Sequence, residues 1–148
     1  MLSNVTKTSR IKEFRLSWSA YFEYKPDLVL RNVPRKAGVY CVFFLYKGHL
    51  TPLFVGRTMA NDLQTALISH FNDTHHSVLL KRRLDLGNVF FKFGLFDGEP
   101  LDLVDISWHL RKFYRPLIHD PIDGHSGRYE RILLNTENWK TPSEVSAG

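Results

Sequence analysis

At 148 residues the chain is long enough for one domain with a substantial core, since a domain of this size hides about two-thirds of the surface its unfolded form exposes. Its composition, 43% hydrophobic, 24% charged and 14% aromatic, excludes a disordered or low-complexity chain, and no run approaches the ~18 apolar residues of a membrane span. The segment Met1 to Lys12 has no apolar signal-peptide core, so an intracellular protein is expected, and the formal net charge of +5 favours polyanionic partners without specifying one.

In chain order, the aromatic and charged N-terminal third suggests a helix around Ile11 to Phe22 that stops before Pro26. From Gly38 the run Val39-Tyr40-Cys41-Val42-Phe43-Phe44-Leu45 is β-branched and aromatic and reaches the turn candidate Lys47-Gly48. A second extended run, Leu50 to Gly56, completes a hairpin, and its Pro52 requires either an edge strand or a strand start. Leu63, Ala66, Leu67, His70 and Phe71 fall on one face of a helix that Asn61 or Asp62 can cap. Ser77 to Leu86 suits a further helix ending at Gly87, Asn88 to Phe96 a third strand, and Asp97-Gly98-Glu99-Pro100 the turn after it. Leu103, Ile106, Leu110 and Phe113 mark the buried face of a last helix bounded by Pro116, with Asp102 and Asp105 near its start and Arg111 and Lys112 near its end, as the helix dipole favours. Thr141 to Gly148 is a weak tail.

The single cysteine, Cys41, lies within an apolar strand and reads as a buried thiol rather than a nucleophile. His70, Asp73, His75 and His76 lack the cysteines or the second spaced histidine pair of a zinc site, and no metal is assigned to them.

The ordered set Gly38-Val39-Tyr40, Phe54-Val55-Gly56, a helix with His70 and a later helix running into Arg115-Pro116 resembles the GIY-YIG nuclease family over residues 37 to 120. The resemblance implies an α/β (α+β) fold with a small three-stranded antiparallel sheet flanked by helices. Residues 1–148 then form a single domain, with extensions at 1–36 and 121–148. It also implies phosphodiester cleavage by one divalent metal ion, Mg²⁺ or Mn²⁺, held by a glutamate, with a tyrosine or histidine aiding deprotonation of water and an arginine neutralising charge that grows on the phosphate. On this pattern Tyr40, Arg57 and His70 keep catalytic positions. Phe54 replaces the second tyrosine, Ala66 the arginine, Ser107 the metal-binding glutamate and His119 an asparagine. Asp105 sits about 200° around the helix from Ser107 and replaces the lost carboxylate only if the register shifts.

A catalytically impaired domain is therefore expected, one that binds DNA or a DNA-processing protein without efficient cleavage and needs no cofactor. Its candidate phosphate contacts are Arg57, Lys81, Arg82, Arg83, Arg111, Lys112 and Arg115. The alternatives are an active endonuclease drawing its carboxylate from Glu99, Asp102, Asp105 or Glu130, and a protein-interaction module with an apolar patch built from Trp18, Tyr21 and Phe22.

Overall fold

The computed structural model describes residues 10–72, 78–96, 98–118 and 124–138, and for 137 and 138 the backbone only. The architecture is α+β, with strands β1 (Ile11–Trp18), β2 (Phe22–Glu23), β3 (Gly38–Tyr46), β4 (His49–Arg57), β5 (Val89–Leu95) and β6 (Arg131–Asn138). Four helices accompany them among the described residues: α1 (Pro26–Asn32), α2 (Leu63–Ser69), α3 (Val78–Leu86) and α4 (Pro100–Tyr114). No helix of the described residues is long and apolar enough to cross a membrane.

The three expected strands lie side by side as β4-β3-β5, all antiparallel. Lys47 and Gly48, both at positive φ between the paired Tyr46 and His49, form the two-residue turn that matches the right-handed twist of a hairpin. Pro52 lies in the edge strand β4, where the register slips by one residue between Val42 and Phe43, so its missing N–H costs no ladder bond at a central position.

The sheet is larger than the three strands expected. It is mixed and six-stranded, with the path β4-β3-β5-β1-β6 and β2 paired to β5, because both extensions contribute strands. The helix expected over Ile11 to Phe22 is instead β1 followed by β2. Phe14 and Trp18 satisfy both a helical and an extended period, but Leu16 between them is also buried while Glu13 and Arg15 are exposed, which is the two-residue alternation of a strand. β6 then pairs in parallel with β1 along the full length from Ile11↔Arg131 to Trp18↔Asn138. Pro26 begins a helix rather than bounding one, in the first-turn position where its missing N–H has no intrahelical partner to lose.

Two cores form on opposite faces of the sheet. One gathers Tyr40, Val42, Phe54, Phe91 and Phe93 with Val29 of α1, Leu63 and Leu67 of α2 and Leu80 of α3. The other gathers Phe14, Leu16, Trp18, Val39, Cys41 and Val55 with Leu103, Ile106 and Leu110 of α4. Phe113, expected inside, is 73% exposed, because the inner stripe of α4 passes from Leu110 to the half-buried Tyr114, whose ring meets Phe43. The chain after α4 crosses the β4 edge, where the Leu117 and Ile118 N–H groups donate to the carbonyls of Pro52 and Leu53.

α2 carries His70 at its C-cap and is started by Asp62, whose carboxylate accepts the Thr65 N–H at 2.8 Å. Asp62→Ala is expected to cost about 1 kcal/mol, read as a lower urea midpoint at unchanged slope.

Candidate functional site

Tyr40 is the third residue of β3, directly opposite Gly56 of β4, and its ring lies against that glycine. A Cβ on Gly56 would come within 2.3 Å of Tyr40 Cζ, so the glycine gives the ring its seat. The Tyr40 hydroxyl and His70 Nε2 are 2.6 Å apart, and Phe54 packs edge-on against His70 with ring centroids 5.3 Å apart. Tyr40 is 4% exposed and His70 1%, and Phe54 and Ala66 are buried in the same core. Nearby, burial and then the proximity of Tyr40 push the Tyr24 hydroxyl well above its usual range, and it donates to the Leu67 carbonyl as a neutral phenol. Phe54 needs no polar partner here, and the small Ala66 side chain suits the close packing.

Arg57 is brought near neither. The register sets it opposite Val39, whose side chain belongs to the core on the other face, and strand alternation turns it away from Gly56 and Tyr40. Ser107 also lies on that other side, fully buried on α4. Its hydroxyl donates to the Val104 carbonyl and accepts from Arg111 at 3.4 Å, while Arg111 also donates to the Val55 carbonyl at the β4 edge. Arg111 is thus an internal residue, 6% exposed, and is not offered to a polyanion. The position of the expected metal carboxylate holds a serine facing a guanidinium, and neither attracts a hard dication that seeks anionic oxygen. Among the described residues no cluster of three or more His, Cys, Asp or Glu side chains could hold a metal ion. Asp73, His75, His76, His119 and the tail 141–148 lie outside the described residues.

The acidic side chains have other work. Asp105, 2% exposed, accepts the Ser126 N–H on one oxygen and the Ser126 hydroxyl on the other, each at 2.7 Å. Arg128 binds Asp102 at 2.7 Å, Asp105 at 3.2 Å and Glu99 at 3.4 Å. These three carboxylates converge on Arg128, ahead of β6, and not on Tyr40 and His70. Glu130 lies outside that network, its N–H donating to the Arg10 carbonyl.

No family model, curated protein or solved structure matches this chain.

The remaining basic candidates divide between the two faces. On α3, Lys81 pairs with Asp85 at 3.0 Å and Arg83 lies 4.3 Å over the Phe44 ring, which leaves Arg82 the most open of the three. On α4 and at its C-cap, Lys112 and Arg115 are exposed, and Lys112 rests 4.4 Å over the Trp108 ring. The expected N-terminal aromatic patch is not one surface: Trp18 is buried, Phe22 packs against Phe91 and Phe93, and only Tyr21 is exposed.

Sequence reading gave no sign of an aromatic enclosure on the α4 side. Lys92 of β5 places its ammonium 4.4 Å from the Trp18 ring, 5.3 Å from Tyr21 and Tyr114 and 5.9 Å from Phe43. Desolvation lowers its pKa, partly offset by Cys41 directly across the strand pair. Burial pushes the Cys41 thiol up to about 12 against the smaller opposing effect of Lys92, so the nucleophilic thiolate is scarce at neutral pH. Native protein is therefore expected to resist a thiol reagent at pH 8 and to react with one equivalent after unfolding. Rapid labelling of the folded protein would contradict this.

Proposed function

We propose that the chain is a GIY-YIG-like domain that binds DNA without efficiently cutting it. The observation that carries the loss of cutting is the Tyr40–His70 hydrogen bond at 2.6 Å, made inside the core with both side chains at most 4% exposed. A general base must reach the water it deprotonates, and these groups reach one another. The order β3-β4-α2-α3-β5-α4 and the antiparallel set β4-β3-β5 support the architectural part of the reading. The strands from residues outside 37–120 are additions to that core.

DNA binding is supported by the net charge of +5 and by the exposed Arg82, Lys112 and Arg115. Phosphate contacts release counterions, so affinity must fall steeply with salt. The test is a gel shift in chelator with a DNA fragment, native and heat-denatured, across a salt series. Binding at low salt that weakens with a slope of at least 2 in log–log form, and that is reduced by Lys112→Gln, is expected. No shift of either form at low salt would overturn the proposal.

A further inference from the structure

Along the α4 side two neighbouring cavities share His109, Phe113 and Leu134 and form one trough. The first, about 390 Å³, reaches inward to Trp18 and Lys92; the second, about 590 Å³, runs between Trp108 and Lys112 of α4 and residues 130–134 leading into and along β6. We infer that this trough binds single-stranded nucleic acid, the exposed Phe113 ring taking a base and the lysines the phosphates. The inference rests on the nucleic-acid reading above and assigns it a place and a strand preference.

Phe113 is 73% exposed, although a ring that size normally finds cover, and Trp108 is only part-buried beside the same cavity. Each end of the trough pairs a ring with a cation, Lys112 over Trp108 and Lys92 over Trp18, both at 4.4 Å. Against Lys92, Lys112 and Arg131, the described lining carries one acid, Glu130, so its charge complements a polyanion. His109 at the junction has its pKa lowered by desolvation and then by Lys112, which leaves a neutral imidazole able to exchange hydrogen bonds with a base edge. A trough with aromatic walls favours bases that are already unstacked, because stacking on a protein ring is available to any base face, whereas a duplex must first be opened.

The test is fluorescence anisotropy in chelator at low salt, with a labelled 15-nucleotide oligothymidylate and a duplex of the same length. The single strand is expected to bind at least 10-fold more tightly than the duplex. Phe113→Ala and Lys112→Gln should each weaken it about 5- to 10-fold, while Arg31→Gln, exposed on α1 on the opposite side of the sheet, changes it less than 2-fold. Phe113 is exposed enough that its alanine variant should keep the wild-type melting temperature, which separates loss of contact from loss of fold. Equal affinity for the duplex, or an unchanged affinity in Phe113→Ala, overturns the trough while leaving DNA binding standing. Failure of both oligonucleotides to bind overturns both readings.

Discussion

Gly56→Ala is expected to destabilise the protein by about 3 kcal/mol, a fall of roughly 10 °C in melting temperature for a domain of this size. The added Cβ would lie 2.3 Å from Tyr40 Cζ and 2.4 Å from its hydroxyl oxygen. The ring has nowhere to retreat, since Phe54 flanks it and His70 holds its hydroxyl at 2.6 Å. Tyr40→Ala removes the obstacle, so combining it with Gly56→Ala should cost at least 1 kcal/mol less than the two single losses added together. Strictly additive losses would mean that the ring does not sit on this glycine. Tyr40→Phe leaves the clash and takes away a buried hydrogen bond from His70, with an expected cost of about 1 to 3 kcal/mol.

Asp105→Ala is expected to be equally severe, at about 3 kcal/mol, because it withdraws the carboxylate that holds the Ser126 N–H, the Ser126 hydroxyl and part of Arg128. The loss should be regional as well as global. Segment 124–130 leads directly into β6, so hydrogen exchange is expected to show the amides of Arg131 to Asn138 losing protection before those of β3 and β5. Asp105→Asn keeps an oxygen for one of the three donors and should cost less. A melting temperature within 1 °C of wild type for the alanine variant would show that the Asp105 carboxylate does not hold segment 124–130 in place.

What the sequence made legible was local. The β3–β4 hairpin, α2 and β5 follow from runs and turns whose signals lie within a dozen residues, including Lys47-Gly48 and the Asp62 cap. The strand β1 reads as a helix because Phe14 and Trp18 suit two periods, and the deciding fact is its parallel partner β6, about 120 residues away along the chain. Phe113 lies outside the buried stripe for a smaller reason, one step of angular drift along α4.

At the site, the ordered motif set singles out Tyr40 and His70 but not the hydrogen bond between them, since strand alternation does not say how tightly a helix closes over a face. Nothing local announces that Arg111 turns inward to Ser107 and Val55, that Arg128 collects three carboxylates, or that Lys92 lies among four rings. Each depends on side chains brought together by the fold from distant segments. The division of the basic residues between two faces was hidden for the same reason, because a charge run in sequence carries no information about which side of the sheet its helix covers.

The most direct test of the central claim, that Tyr40 and His70 form a core contact instead of a cutting site, is incubation of supercoiled plasmid with the purified protein in Mg²⁺ or Mn²⁺, alongside a His70→Ala control. The account predicts no metal-dependent nicking above the level of that control. Nicking that requires the metal and disappears in His70→Ala would contradict it.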